Sequence, residues 1–141
     1  MKVAIGCDHG GFGLKDIVKS VLKDLGHEID DLGCDSSESV DYPNFAQAVS
    51  ALVIEGKCER GILVCGTGIG MSMAANRIPG IRAARCNEMF SARMSREHND
   101  ANILCIGARV IGPGLAEEIV RTWMTTDFAG GRHQRRIDLF K

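Results

Sequence analysis

A cysteine at the end of an apolar run is followed directly by a glycine-rich segment. Ile62-Leu63-Val64 is typical of a buried strand, and Cys65 comes next, before Gly66–Ser72. The pattern predicts a strand, a tight turn and the start of a helix, where backbone N–H groups are free to bind an anion. A thiolate is favoured at such a position, and the N–H groups can hold an oxyanion beside it. A base next to an anion hole is suited to proton transfer at a carbon next to a carbonyl.

The glycine-rich segment differs from the two common nucleotide-binding loops. Its third glycine, Gly70, arrives one residue too early for G-x-G-x-x-G, and no Gly-Lys-Ser/Thr follows as in a phosphate-binding loop of the Walker type. We predict instead that the three glycines, together with Thr67 and Ser72, form a nest of N–H donors for a small anion. A plain strand-to-helix turn remains the alternative.

Two histidines, His9 and His98, follow a predicted strand and a predicted helix and have polar residues next to them. Asp8 and His9 stand side by side after the first strand, although an Asx turn would explain the aspartate as well. His98 closes a predicted helix and is followed by Asn99 and Asp100. A histidine there could act on a ligand, or could simply interact with the carbonyl end of the helix.

The last residues of the chain are basic. Arg132 and Arg136 are four residues apart, so on a helix both guanidinium groups can converge on one phosphate. A solvated basic terminus is the alternative interpretation.

Strand-like and helix-like segments alternate along the chain. Strands are predicted at 3–5, 28–32, 62–65, 81–86 and 102–106, and helices at 12–25, from Pro43, at 88–97 and from Pro113. This order predicts an α/β fold, a single-domain Rossmann-like three-layer α/β/α sandwich with a five-stranded parallel sheet over 1–141, ending in a helical tail at about 131–141. The functional crevice of such sheets lies beyond the carboxyl ends of the strands.

Composition limits the partners that we expect. With a net charge of −1 there is no general electrostatic attraction to nucleic acid or to an anionic membrane. No apolar run approaches the roughly 20 residues that span a bilayer. The six cysteines include no C-x-x-C pair, so we expect free thiols and a cytoplasmic location.

Taken together, these motifs closely resemble the ribose-5-phosphate isomerase B family, which also contains the galactose-6-phosphate isomerase subunits. The motifs that carry the resemblance are Gly6–His9, Asp41–Pro43, Cys65–Gly70, Ala75–Arg77, Gly80–Ala83, His98–Asp100, Gly107–Arg109 and Gly130–Arg136. Their order and spacing agree with the family from residue 1 to about residue 138. So many separated motifs are far more specific than one glycine loop.

The resemblance implies interconversion of an aldose phosphate and a ketose phosphate through a cis-enediolate, without a metal or an organic cofactor. Cys65 stands at the position of the family's base, and Thr67 at that of a hydroxyl able to hydrogen-bond the sulfur. The N–H groups of the Gly66–Gly70 loop, those of Gly68 and Ile69 included, would hold the enediolate oxygens.

The resemblance also implies how the sugar is opened and held. His98 matches the acid/base that opens the sugar ring, with Asp8 and Asn99 orienting sugar oxygens, and Tyr42 is assigned to substrate binding. The phosphate-binding positions of the family are matched by His9, Arg109, Arg132 and Arg136. In the family the site lies between two subunits, so we expect a homodimer or a dimer of dimers.

Several functions stay open at this point. The leading one is isomerisation of D-ribose 5-phosphate and D-ribulose 5-phosphate. A second is isomerisation of another sugar phosphate, namely allose 6-phosphate, galactose 6-phosphate or a tetrose phosphate. A non-catalytic sugar-phosphate-binding module is a third, against which the presence of both Cys65 and His98 argues. A redox role for Cys65 is the last, and no resolving cysteine lies within a few residues of it.

Overall fold

One sheet of parallel strands forms the centre of the molecule. The computed structural model describes residues 1–141. Its strands are β1 (Lys2–Cys7), β2 (Glu28–Asp31), β3 (Arg60–Cys65), β4 (Ala83–Arg85) and β5 (Ile103–Gly107). Every neighbouring pair is parallel, in the order β2-β1-β3-β5-β4. The predicted five-stranded parallel sheet is confirmed.

Helices follow the strands in alternation. They are α1 (Phe12–Asp24), α2 (Tyr42–Ile54), α3 (Ile69–Ala75), α4 (Met89–Glu97), α5 (Pro113–Thr125) and α6 (Arg132–Ile137). Pro43 and Pro113 both lie in a first helical turn, where the missing N–H costs no hydrogen bond. No helix combines the length and the apolar character that a membrane crossing requires.

Both faces of the sheet are buried, which completes the predicted three layers. Ile5 and Leu104 point to one face, where they pack in a core with residues of α1, α4 and α5. Their neighbours Ala4 and Ile103 point to the other face and pack with residues of α2 and α3. Because successive side chains of a strand alternate between faces, strands that are apolar throughout require cover on both sides.

The fourth strand is shorter than predicted. The predicted bounds of 81–86 are wrong, because the strand covers only Ala83–Arg85. Ile81 donates its N–H to the carbonyl three residues earlier and so belongs to a turn. β4 lies at the edge of the sheet, with β5 as its one neighbour. On its open side, the amide of Asn76 exchanges two hydrogen bonds with the backbone of Ala83, at 2.8 and 2.9 Å. The side chain of Asn76 therefore pairs with the free backbone edge of β4, where a further strand could otherwise pair.

Candidate active site

Cys65 ends β3, and its sulfur faces the start of α3. The side chain is almost fully buried, and the sulfur accepts a hydrogen bond from the Gly68 N–H at 3.1 Å. The hydroxyl oxygen of Thr67 accepts from the Ile69 N–H at 3.2 Å, so its own proton is left to donate. The loop therefore brings a thiol, a hydroxyl and backbone N–H groups together, as the glycine spacing predicts.

Close packing explains two of the glycines around this loop. A Cβ at Gly107, the last residue of β5, would lie 2.5 Å from the carbonyl carbon of Thr67. A Cβ at Gly70 would lie 2.7 Å from the ring carbon Cζ of Tyr42. The phenol of Tyr42 is thus held over the first turn of α3, beside the Cys65 loop.

Three further predicted residues reach the same edge of the sheet. The buried carboxylate of Asp8 accepts from the Gly11 N–H at 3.0 Å. Nδ1 of His9 accepts from the Val40 N–H at 3.2 Å, which places the proton of the neutral ring on Nε2. The side chain of Arg109 lies over the backbone of Gly66, close enough that a Cβ there would lie 3.5 Å from Nη1. One acid, one imidazole and one guanidinium therefore lie at the edge of the sheet where the loop begins.

Arg85 is a neighbour of the loop that the sequence did not reveal. Its Nε donates to the carbonyl of Thr67 at 2.7 Å, from the edge strand β4. No motif or spacing marks Arg85, since an arginine on an edge strand is ordinarily solvated. The contact passes the end of β5, which lies between β3 and β4 in the sheet.

His98 lies elsewhere, at the carboxyl end of α4. Its ring stacks on that of His133, with centroids 4.2 Å apart and planes inclined by 10°. Burial lowers the pKa of His133, and the neighbouring His98, Arg132 and Arg136 lower that pKa further. His133 is thus a partner of His98 that spacing could not identify, since the two residues are far apart in the chain.

The two groups of predicted residues are at opposite ends of the sheet. α4 runs antiparallel to the strands, so His98 precedes the amino end of β5, whereas Cys65 pairs with Gly107 at the carboxyl end. The four residue steps from Ile103 to Gly107 separate the two ends by about 13 Å at 3.3 Å per residue. Within one chain, Cys65 and His98 therefore do not share a small ligand.

The predicted residues accordingly form two half-sites. We call the first the thiol half-site, which consists of Asp8, His9, Tyr42, Cys65, Gly66, Thr67, Gly68, Ile69, Gly70 and Arg109. We call the second the histidine half-site, which consists of His98, Asn99, Arg132 and Arg136.

The main cleft of the surface adjoins the histidine half-site. It encloses about 480 Å³ beside β4, and its lining includes Arg82, Asn99 and Phe140. The thiol half-site has no comparable cleft of its own.

Fold and half-sites together define a class of protein, an α/β enzyme with a buried thiol next to a glycine-rich strand-to-helix loop. The profile of the Ribose/Galactose Isomerase family matches residues 3–140. The chain belongs to that family. The resemblance stated from the motifs is thereby confirmed, and with it the class of isomerases.

Individual relatives agree with this assignment. The Escherichia coli protein "Ribose-5-phosphate isomerase B" is 49% identical over 97% of this chain and 92% of its own. The Pectobacterium atrosepticum protein "D-erythrulose-4-phosphate isomerase" is 40% identical, covering 98% of this chain and 91% of its own. The solved structure of Clostridium thermocellum Ribose-5-Phosphate Isomerase B superimposes with a TM-score of 0.97 and 54% identity, covering 99% of this chain and 94% of that one.

Proposed function

We propose that this enzyme interconverts D-ribose 5-phosphate and D-ribulose 5-phosphate. The observation that carries the proposal is the sulfur of Cys65, buried at the end of β3 and 3.1 Å from the Gly68 N–H. Family membership over residues 3–140 supports the reaction class. The relatives named for ribose 5-phosphate support a sugar of five carbons.

Proton transfer takes place at the thiol half-site. The thiolate of Cys65 removes the proton from C2 of the open-chain aldose and returns it to C1, while the hydroxyl proton of O2 passes to O1. The enediolate oxygens that form between these steps accept hydrogen bonds from N–H groups of the Gly66–Gly70 loop, those of Gly68 and Ile69 being released from the Cys65 sulfur and the Thr67 hydroxyl. Each such donor contributes typically about 2.7–4 kcal/mol to the transition state. The hydroxyl of Thr67 donates a hydrogen bond to the sulfur or to an enediolate oxygen.

Ring opening takes place at the histidine half-site. Sugar phosphates occur mainly as rings, so an acid/base must move a proton between the ring oxygen and the anomeric hydroxyl before Cys65 can act. His98 is the group that we assign to this step, and the exposed amide of Asn99 orients a sugar hydroxyl. Asp8 holds the hydroxyls of the opened chain from the thiol half-site.

One substrate reaches both half-sites only across two subunits. We propose a homodimer, or a dimer of dimers, in which His98 and Asn99 of one subunit face the Cys65 loop of the other. The opposite positions of Cys65 and His98 on the sheet support this arrangement, since neither half-site is complete alone. Arg132 and Arg136 then join His9 and Arg109 around the phosphate.

Another sugar phosphate is the second candidate substrate. The relative named for D-erythrulose 4-phosphate, at 40% identity, supports a four-carbon alternative specifically. Steady-state kcat/KM on matched four-, five- and six-carbon aldose phosphates tests the assignment. The highest value is expected for ribose 5-phosphate, and a higher value for a tetrose or hexose phosphate would contradict it.

We also propose that the enzyme acts in the cytoplasm. Its six cysteines are all free thiols, which fits a reducing compartment. Fractionation of cells that produce the protein tests this, and recovery in an oxidising compartment would contradict it.

A further inference from the structure

The turn that carries His98 and Asn99 is held by a carboxylate between two arginines. Oδ1 of Asp100 accepts from Nη1 of Arg96 at 2.8 Å, and Oδ2 accepts from Nη2 of Arg82 at 3.3 Å. The side chain of Arg96 is only 6% exposed, and that of Asp100 is 35% exposed. Because both carboxylate oxygens are engaged by guanidinium groups, Asp100 is not placed to act on a sugar itself.

The backbone of the same turn is held by one of these guanidinium groups. Nε of Arg82 donates to the carbonyls of Asn99 and Asp100, at 3.1 Å in each case. Nη2 of Arg82 donates to the Asp100 carbonyl as well, at 3.0 Å. The carbonyls of two successive peptides, one on each side of the Asp100 Cα, are therefore held by a single side chain.

Asp100 adopts a conformation that favours glycine. Its φ is +45°, and it is the one non-glycine residue of the chain with a positive φ. Its N–H donates to the Arg96 carbonyl at 3.1 Å, which is the hydrogen bond that ends helices at a left-handed residue, usually glycine. Glycine adopts this left-handed conformation more readily than aspartate does. What aspartate adds at this position is a carboxylate that pairs with Arg82 and Arg96.

The two arginines connect the turn to rigid parts of the molecule. Arg82 immediately precedes β4, and Arg96 lies in the last turn of α4. Nη1 of Arg96 also donates to the Ala101 carbonyl at 2.6 Å, and its guanidinium lies 5.7 Å from the centre of the Trp123 ring. The turn is thereby tied to the sheet edge and to the buried face of α5.

We propose that Arg82, Arg96 and Asp100 are positioning residues, which fix the orientation of His98 and Asn99 for ring opening. This role rests on the proposed isomerase function. In this role the three residues act on the turn and not on the sugar. Their effect is to hold the turn so that the imidazole of His98 and the amide of Asn99 project together toward the neighbouring subunit.

The test replaces the carboxylate while keeping the turn. Asp100→Gly suits the positive φ but removes both ion pairs, Asp100→Asn restores one acceptor oxygen, and Arg82→Lys keeps a charge without bridging two carbonyls. Asp24→Asn is the matched control, because Asp24 accepts from Arg121 at 2.8 Å on an exposed surface away from both half-sites. All variants are assayed as the full chain on ribose 5-phosphate and on erythrose 4-phosphate, which cannot form the same ring.

We expect Asp100→Gly to lower kcat/KM on the cyclising pentose phosphate by roughly 10- to 100-fold, as for a catalytic group displaced by about 1 Å. The loss on the tetrose phosphate should be much smaller, Asp100→Asn should recover part of the activity, and Asp24→Asn should match wild type. The rate at which iodoacetamide alkylates Cys65 should be unchanged. Equal losses on both substrates, or wild-type activity of Asp100→Gly, would overturn the positioning role.

NMR of the histidine side chains tests the positioning role independently of the proposed function. If wild type turns over no sugar phosphate, the proposed function fails, yet the side-chain resonances of the histidines still report the turn. Asp100→Gly is expected to shift the ring signals of His98 and His133 and to leave those of His9 and His27 in place. Unchanged His98 signals in Asp100→Gly and Arg82→Lys would overturn the positioning role whatever the activity.

Discussion

The rings of His98 and His133 lie stacked, 4.2 Å apart between centroids, although they come from different helices. The segment between α5 and α6 is tied to the same place, since the Ala129 N–H donates to the Glu97 carbonyl at 2.9 Å. The tail arginines are therefore part of the same unit as His98. In the proposed function, the ring-opening group and the phosphate-binding guanidinium groups reach the substrate together, from one subunit.

The first prediction concerns the proposed base. Cys65→Ala should lower kcat on ribose 5-phosphate by about 10²–10⁴-fold, the usual contribution of a general acid/base, with little change in melting temperature. Cys58→Ala is the matched control, because Cys58 is also buried but lies before β3, away from the loop. Iodoacetamide should inactivate wild type more slowly when substrate is present. More than a tenth of wild-type turnover in Cys65→Ala would exclude Cys65 as the base.

The second prediction concerns ring opening. His98→Asn should reduce kcat/KM strongly on ribose 5-phosphate and much less on erythrose 4-phosphate, because only the first substrate must be opened from a ring. His27→Asn serves as the control, since His27 lies by the amino terminus, 3.3 Å from the Met1 amine. The measurement is steady-state kinetics on both substrates. An equal loss on the two substrates would contradict the role assigned to His98.

The third prediction concerns the phosphate. Arg132→Ala and Arg136→Ala should each raise KM about tenfold or more, because a charged hydrogen bond contributes roughly 1.5–3 kcal/mol. Arg135→Ala is the matched control, being an exposed arginine on the same helix α6 that no motif assigns to the phosphate. A solvated basic terminus predicts instead that all three variants behave like wild type at moderate salt.

The fourth prediction concerns the division of the site between subunits. At a substrate concentration below the wild-type KM, chains with Cys65→Ala and chains with Arg132→Ala/Arg136→Ala are both expected to be nearly inactive alone. After subunit exchange, a mixed dimer holds one intact thiol half-site facing one intact histidine half-site, so activity should return. Mixing Arg132→Ala/Arg136→Ala with His98→Asn chains should restore nothing, because both defects lie in the same half-site. Recovery in that second mixture would rule out the proposed grouping.

The fifth prediction concerns pH. Burial and nearby positive charges lower the pKa of His133 in the folded chain below the ordinary value of 6.5. The unfolded chain then binds the proton more readily, so the stability contribution of neutral His133 is complete above about pH 6.5 and is lost as the pH falls through the lower folded value. His133→Asn should therefore show a shallower fall in melting temperature between pH 7.5 and 5 than wild type. Parallel pH profiles would contradict this assignment.

Much of the fold could be predicted because local sequence patterns agree with the strands and helices of the structure. Apolar runs such as Ile62–Val64 are buried on both faces, and Pro43 and Pro113 mark helix starts correctly. The strand over 81–86 was the exception, since apolar residues of an edge turn resemble strand residues and Asn76 replaces a neighbouring strand there. Sequence patterns describe which residues are buried, but not which backbone groups pair.

The site was predictable only in its separate parts. Glycine spacing after Cys65 predicted the turn from β3 into α3, and the ring of Tyr42 packs where Gly70 has no side chain. The sequence by itself also determined the family and the reaction class, through motifs that keep their order along the whole chain. Only the tertiary structure decided that Cys65 and His98 lie at opposite ends of the sheet, that His133 stacks on His98, and that Arg82 holds the turn of Asp100. The physical reason is that these relationships depend on strand order and on the direction in which α4 returns, which no local spacing encodes.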